Sequence, residues 1–355
     1  MSRIYPECRP LLIGSLPIAD HNEATELIFD YTPEYPLWPQ LPMYKEEGMI
    51  QQYLEGFPCV GECDGKIFID GSSASFDAEI LSFYEEYLSI AEGGSPLDGS
   101  RFELTEKTAK GFFSFLSAAE KRKGTFISLK GQTTGPVTFC TGLVDQDNRS
   151  IFYDDQLRDV AIKHLGLKAR WQTKKMAELG GQPIMFFDEP GLAGMGTSAY
   201  ITITQEDIVA CLSEVFAEVQ AENGLTGVHV CANTQWPILF DAGVDIISFD
   251  AYSYFDRLVL YADQLVDFFA RGGFLASGIV PTSPEFIEKE TVEGLTAKWF
   301  EQRKELVALG VSEEVVYRQT FITPSCGTGA VSFDQAKRVL ELTQGVSAKI
   351  RAALS

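Results

Sequence analysis

The sequence predicts a single (β/α)8 barrel with an irregular excursion near its N-terminus. Short apolar runs rich in β-branched and aromatic residues recur along the 355-residue chain, and each ends in glycine, proline or a polar residue. Segments with helical spacing separate these runs, as expected for a parallel sheet that is covered on both faces. Seven or eight such units in a chain of this length are typical of a barrel.

The predicted strands are runs such as "PIMFFDEP" and "TGVHVC", and they lie at 10–17, 125–131, 183–190, 226–231, 244–250, 272–281 and 316–327. An eighth strand is expected in the irregular region around "PLWPQLP". Clear helical patterns cover 157–180, 204–224 and 332–354. Thr204 and Ser332 precede acidic residues, as N-caps do. An open doubly wound sheet is the alternative, but no GxGxxG motif follows any of the strands.

Residues 36–105 are the least regular part of the chain, and "EGFPCVGECDGKIFIDG" within them suggests a small hairpin. The sequence contains no internal repeat, low-complexity tract or convincing linker. We therefore expect residues 1–355 to form one domain, with 36–105 as an insertion in the barrel.

Composition and charge exclude several classes of partner. The formal net charge of −21 would repel nucleic acid and acidic membrane surfaces. No apolar run reaches the roughly 18 residues that a membrane span requires, and "MSRIYPECRP" lacks the apolar core of a secretory signal. Seven cysteines in such a chain are expected to be reduced thiols. These features predict a cytoplasmic protein without nucleic-acid or membrane partners.

Chemically active residues cluster at the predicted strand ends, where barrel enzymes carry their active sites. His229 and Cys231 lie two residues apart on one strand, so their side chains point to the same face. Cys326 ends a later strand just before Gly327, and Asp250 ends the strand between them. Nitrogen and thiolate ligands suit zinc. We therefore predict a His–Cys–Asp–Cys set with one weak or displaceable ligand, as in a catalytic zinc site.

Simpler interpretations remain for several of these residues. A histidine at a strand end is often a hydrogen-bonded core residue, so His229 alone would be a weak signal. Cys59 and Cys63 form a CxxxC pattern, but a second metal site there is less favoured. His21 and His164 have no partner in the pattern and are expected at the surface.

A zinc site with thiolate ligands suits the activation of an incoming thiol, because coordination deprotonates the thiol at neutral pH. Hydrolysis by zinc-bound water is the competing chemistry. "FFDEP" places two carboxylates, Asp188 and Glu189, at a strand end, and only one of them can face the barrel mouth. An inward carboxylate could hold a substrate ammonium group. The alternative is a structural cluster at a helix N-terminus.

The ordered motifs resemble a known catalytic barrel. "LLIGSLP", "QTTGPVTF", "FFDEPGL", "GVHVCANT", "DAGVDIISFDAY", "SGIVPT" and "ITPSCGTG" follow one another as in cobalamin-independent methionine synthase. They also resemble the related superfamily that includes uroporphyrinogen decarboxylase and the corrinoid-dependent thiol methyltransferases. "HVCANT" is similar to the HxCGN stretch of the methylcobamide:coenzyme M methyltransferases. The resemblance covers residues 10–350.

This resemblance implies a role for each matching residue. His229, Cys231 and Cys326 correspond to zinc ligands, and Asp250 stands where methionine synthase has a glutamate. Gly14 and Ser15 correspond to residues that meet the homocysteine carboxylate. Asp188 corresponds to the catalytic-site acid that meets its amino group, while the family's second amino-binding acid has no clear match. The implied reaction is methyl transfer to homocysteine, giving methionine.

The expected methyl donor differs from that of the long methionine synthases. Those enzymes have a preceding barrel that helps bind polyglutamylated folate, and we expect no such barrel in this protein. A polyanionic folate is also disfavoured by the net charge, so a methylated corrinoid or corrinoid protein is the expected donor. A uroporphyrinogen decarboxylase-like enzyme is an alternative, although "ECRPLLIG" offers only Arg9 where that enzyme has clustered basic residues. A non-catalytic zinc-binding barrel is the other alternative.

Overall fold

The structure is a computed structural model of the chain, and it describes residues 4–195, 200 and 202–354. Its strands within these ranges are Val60–Cys63 (β1), Lys66–Ile69 (β2), Lys130–Thr134 (β3), Ile184–Asp188 (β4), Leu225–Val230 (β5), Ile246–Phe249 (β6), Phe274–Val280 (β7) and Thr320–Pro324 (β8).

The α-helices of the described residues range from one turn to six turns. They are His21–Tyr31 (α1), Phe76–Ala91 (α2), Glu106–Lys121 (α3), Pro136–Gly142 (α4), Asp155–Ala177 (α5), Gln205–Ala221 (α6), Pro237–Asp241 (α7), Ala251–Leu258 (α8), Ala262–Ala270 (α9), Pro284–Ile287 (α10), Val292–Ala308 (α11), Glu313–Arg318 (α12) and Phe333–Leu354 (α13). In the ranges described, none of them is both long and apolar enough to cross a membrane.

A six-stranded parallel sheet forms the centre of this α/β protein. Its strands follow one another in the order β3-β4-β5-β6-β7-β8, and each pairs in parallel with the next. Helices connect the strands, as the alternating pattern predicts. The register sets Asp188 beside His229 and His229 beside Ser248, so these three residues lie at one level of the sheet.

Two expected strands are replaced by isolated bridges. Pro10 pairs with Ile322 of β8, and Leu37 pairs with Lys130 of β3, each through a single parallel bridge. A third bridge joins Ser15 to Gln40. The segments at 10–17 and around "PLWPQLP" therefore do not form the continuous strands that the sequence predicted. The prolines in both segments lack the N–H that a continuous strand ladder needs.

Other boundaries also differ from the prediction. The strand expected at 125–131 begins only at Lys130. The start of the strand expected at 316–327 belongs to α12 instead, and β8 is confined to Thr320–Pro324. The long predicted helices are confirmed as α5, α6 and α13, and Thr204 forms the full capping box of α6 with Asp207.

The excursion, residues 36–105, packs against α5. Its hairpin is confirmed by antiparallel pairing of β1 with β2, and α2 follows it. The rings of Phe57, Phe83 and Phe102 surround His164, with centroids 5.4, 6.3 and 5.9 Å away. The expectation that His164 is a surface residue is wrong, because the excursion buries it completely.

Buried apolar side chains pack near the amino ends of the strands, below the level of His229. A buried apolar cluster there includes Ile184, Phe186, Ile246, Phe274 and Phe321. Gly227 permits the close approach of Phe186, because a Cβ at that position would lie 2.8 Å from the phenyl ring. This apolar packing lies toward the amino ends of the strands, whereas Asp188, His229 and Ser248 lie nearer their carboxyl ends.

Candidate metal centre

Three predicted ligands meet at the carboxyl ends of β5 and β8. His229 lies on β5, Cys231 directly follows that strand, and Cys326 lies two residues beyond β8. Their ligand atoms all lie within 4.8 Å of one another. The fold therefore brings together one imidazole and two thiols that are separated by up to 97 residues in sequence (326 minus 229).

His229 is oriented by a neighbouring strand. The residue is buried, and its Nδ1 lies 3.0 Å from Ser248 Oγ on β6. Its Nε2 is buried with no hydrogen-bond partner among the described residues. Burial, together with the charge of Lys130, lowers the pKa of His229 to about 3. The imidazole is therefore neutral at physiological pH and has a free nitrogen, as a metal ligand requires.

The two thiols lie close enough to affect each other's ionisation. Hydrogen-bond donation from the Cys326 thiol lowers the pKa of Cys231 to about 7, although burial opposes the shift. The same hydrogen bond and burial raise the pKa of Cys326. One proton of the pair is thus released near neutral pH, and Cys231 carries the first thiolate. One neutral imidazole and two sulfur ligands fit a borderline-soft ion such as zinc.

Asp250, the fourth predicted ligand, does not converge with the other three. It is the N-cap of α8, and its carboxylate accepts a hydrogen bond from Ser253 N at 2.9 Å. It is not one of the three side chains that converge, although its charge is near enough to raise the pKa of Cys231. Burial raises the pKa of Asp250 itself. Direct ligation by Asp250 stays a prediction.

A cavity of about 640 Å³ opens above these residues. Its wall combines the three candidate metal ligands with apolar and acidic residues, and no described lysine or arginine lines it. The lining residues are Ile13, Ser15, Pro17, Gln40, Pro42, Met43, Glu47, Met49, Thr134, Asp188, Pro190, His229, Cys231, Cys326, Gly327, Gly329 and Ala330. Gly14 is absent from this wall and lines a small adjoining cleft instead.

Asp188 faces the cavity from the end of β4. Its Oδ1 is buried and has no hydrogen-bond partner among the described residues. Burial raises the pKa of Asp188 to about 6, and the charge of Lys130 opposes this shift. Of the two acids of "FFDEP", Asp188 is thus the one that lines the cavity, and its Oδ1 is an acceptor without a partner among the described residues.

Glu189 turns away from the cavity and caps α4. Its carboxylate accepts hydrogen bonds from Val137 N at 2.9 Å, Thr138 N at 2.7 Å and Thr138 Oγ1 at 2.6 Å. Burial raises the pKa of Glu189 to about 7, although these hydrogen bonds oppose the shift. Of the two acids, only Glu189 thus has the structural role at a helix N-terminus that was the alternative interpretation.

Lys130 is a buried cation that the motif analysis missed. It starts β3, and its Nζ lies 2.6 Å from Ile13 O and 3.3 Å from Gln132 Oε1. It also lies 4.7 Å from the centroid of the Phe186 ring. Burial lowers the pKa of Lys130 to about 8, and Asp188 opposes the shift. Lys130 therefore supplies positive charge below the carboxylate of Asp188.

Glu47 is a second acid on the cavity wall and was also missed. One carboxylate oxygen pairs with His21 Nε2, and the other accepts from Leu41 N at 2.8 Å. His21 is buried and stacks on Tyr44, so its expected place at the surface is wrong. Helix α1 begins at His21, and the pairing with Glu47 gives this buried imidazole a polar partner.

The CxxxC pattern does not form a second cluster. Cys59 is buried beside Phe76 and Glu79, whereas Cys63 is exposed at the end of β1. In the described part of the chain, the group formed by His229, Cys231 and Cys326 is the one set of three potential ligands.

Comparison with known proteins shows a likeness in fold. No protein-family model matches the chain, and no curated protein matches its sequence. Among solved structures, a methyltransferase from Methanosarcina mazei is similar, with a TM-score of 0.54 and 15% sequence identity. The match covers 94% of this chain and 85% of that one. At this identity the likeness concerns the architecture.

Proposed function

We propose that this protein is a zinc-dependent methyltransferase that transfers a methyl group to a thiol. The observation that carries the proposal is the convergence of His229, Cys231 and Cys326 at the floor of an open cavity. The likeness in fold to the methyltransferase from Methanosarcina mazei supports it. So does the order of the sequence motifs, which resembles that of the methionine synthase barrel.

The proposal includes closure of the sheet into an eight-stranded barrel. Six strands are regular, and the segments around Pro10 and Leu37 each bridge one edge of the sheet. The bridge between Ser15 and Gln40 links these two segments. A closed ring would place Ser15 across the mouth from Asp188, which suits one small substrate held between them.

His229, Cys231 and Cys326 would hold the zinc ion. Zinc bound there would lower the pKa of an incoming thiol so that the thiol binds as a nucleophilic thiolate. His229 contributes a neutral nitrogen whose orientation Ser248 fixes. The hydrogen bond between the cysteines favours a first thiolate on Cys231 near neutral pH. Asp250 would serve as a weak fourth ligand.

We propose homocysteine as the acceptor because the cavity wall complements an amino acid. Asp188 offers an unused carboxylate oxygen that can receive the substrate ammonium group. Ser15 accepts a hydrogen bond from Gly329 N, and a hydroxyl retains its own proton for donation to a substrate carboxylate. Asp188 and Ser15 would thus orient the acceptor so that its sulfur points toward the metal ligands.

The proposed donor is a methylated corrinoid, free or carried by a partner protein. A polyglutamylated folate would need basic side chains, whereas the described cavity wall contains Glu47 and Asp188 and no lysine or arginine. The same absence disfavours a decarboxylase that acts on a porphyrin with many carboxylates. Apolar residues at the wall, including Met43 and Met49, suit the uncharged methyl-bearing face of a corrinoid.

The test is a turnover assay of zinc-loaded protein with a panel of thiols and methyl donors. We expect methionine from homocysteine and methylcobalamin, with little or no product from methyl-folate or from coenzyme M as acceptor. Cys231→Ser treated in the same way is the inactive control. Zinc binding without turnover of any pair would instead identify a non-catalytic zinc-binding barrel.

A further inference from the structure

The loop that follows Cys326 is closed around Ser15. Gly329 N donates a hydrogen bond to Ser15 Oγ at 3.1 Å. Thr328 donates twice to Ser15 O, from its backbone N at 3.0 Å and from its hydroxyl at 3.1 Å. Three hydrogen bonds therefore connect one serine to the two residues that lie second and third after Cys326.

The fit between this serine and the loop is tight. A Cβ at Gly327 would lie 2.2 Å from Ser15 Oγ, and a Cβ at Gly329 would lie 3.0 Å from Ser15 Cβ. Both distances are too short for ordinary contacts, so only glycine fits at Gly327 while the serine keeps its position. Steric contact with Ser15 and hydrogen bonds to Ser15 thus both constrain the conformation of the loop backbone.

Ser15 itself is held from the opposite side. Lys130 Nζ donates to Ile13 O at 2.6 Å. Gln40 N donates to Gly14 O at 3.1 Å, and Leu16 N donates to Gln40 O at 3.0 Å. The residues on both sides of Ser15 are therefore fixed relative to β3 and the Gln40 segment, and Ser15 can act as a rigid support.

We infer that Ser15 is a positioning residue for the metal ligand Cys326. The two glycines in "CGTG" would leave the loop free to take many conformations, and the contacts with Ser15 select the one in which Cys326 meets His229 and Cys231. This role uses the acceptor side of the hydroxyl and the backbone carbonyl. It is distinct from contact with a substrate, and only its effect on zinc affinity rests on the proposed function.

The first test measures zinc affinity by competition with a chromophoric chelator. We expect Ser15→Ala to bind zinc about 10-fold more weakly than the unaltered protein, within the range seen when a group that orients a ligand is lost. Ser128→Ala is the matched control, because it removes a buried serine hydroxyl bonded to Gln182 O at 2.6 Å without touching the loop. That variant should keep its full zinc affinity.

The second test needs no metal. Iodoacetamide alkylation of the metal-free full chain, followed by mass spectrometry, compares Cys326 with Cys231 in the same molecules. Ser15→Ala should raise the alkylation rate of Cys326 several-fold relative to that of Cys231. Gly327→Ala should do the same, since its Cβ would displace the loop from Ser15 Oγ. In a Ser15→Gly background the additional effect of Gly327→Ala should be smaller, because the colliding atom is gone.

The two proposals fail in different ways. Unchanged zinc affinity and unchanged Cys326 alkylation in a folded Ser15→Ala variant would overturn the positioning role. A higher KM for homocysteine as the sole effect would assign Ser15 to substrate binding alone. If the unaltered protein binds no zinc, the proposed function fails, and the alkylation rates still decide the role of Ser15.

Discussion

Ser248 Oγ lies 3.0 Å from His229 Nδ1, and the opposite ring nitrogen of His229 is buried without a partner among the described residues. The two residues are neighbours in the register of β5 and β6. Hydrogen bonds of this kind fix the tautomer and the ring orientation of a metal-ligating histidine. The relationship therefore identifies Nε2 as the nitrogen that would bind the metal.

Loss of this hydrogen bond should weaken metal binding. We expect Ser248→Ala to lower zinc affinity by about 10–100-fold, because the imidazole loses its fixed orientation. Chelator competition measures the effect, and Ser128→Ala again controls for the loss of a buried hydroxyl. Equal affinity in Ser248→Ala and the unaltered protein would mean that packing alone orients His229.

Asp188→Asn should impair binding of the acceptor and spare the metal. The amide cannot form an ion pair with the substrate ammonium, so we expect KM for homocysteine to rise at least about 10-fold, equivalent to roughly 1.4 kcal/mol. Zinc content should stay unchanged. 4-Mercaptobutyrate, which lacks the amino group, is the matched control substrate, and its KM should not respond. Equal losses with both thiols would remove the assignment of Asp188.

The preference for homocysteine should depend on pH. Burial raises the pKa of Asp188 to about 6, so its carboxylate is charged above that pH and becomes neutral as the pH falls through it. The ratio of kcat/KM for homocysteine to that for 4-mercaptobutyrate should therefore fall below about pH 6. This ratio largely cancels any change in zinc occupancy. Asp188→Asn should show a low ratio that does not vary with pH, and a pH-dependent ratio in that variant would implicate another group.

Substitutions at Asp250 separate helix capping from metal ligation. Asp250→Ala should cost about 1 kcal/mol of stability, because the cap on Ser253 N is lost. Asp250→Asn keeps an acceptor for that cap, so we expect an unchanged Tm with modestly weaker zinc binding and a larger loss of turnover. X-ray absorption with and without thiol would show whether a ligand is exchanged. An identical coordination shell in both states would exclude direct thiol ligation.

Local sequence patterns predicted those strands and helices that depend mainly on residues close together in the chain. The strands that became β4 to β7 are continuous apolar runs, and the helices that became α5, α6 and α13 have regular spacing and polar starts. The i, i+2 relation of His229 and Cys231 follows directly from strand geometry. Cys326 was predictable because it lies just beyond the end of another strand of the same parallel sheet.

The remaining parts depend on contacts between distant segments. Proline-rich stretches around Pro10 and Leu37 form single bridges, which no apolar pattern distinguishes from a full strand. Lys130 was overlooked because lysine within an apolar run normally indicates exposure, whereas here its Nζ reaches Ile13 O inside the protein. His164 looked exposed because the excursion that covers it comes from residues about 60 to 110 positions earlier in the chain.

The most direct test of the central claim is metal analysis of the purified protein and three variants. We expect about one zinc per chain in the unaltered protein, with loss of most of it in Cys231→Ser and in Cys326→Ser. Cys63→Ser, which changes an exposed cysteine outside the cluster, should keep full occupancy. Full zinc occupancy in both cluster variants would contradict the metal centre and, with it, the proposed thiol chemistry.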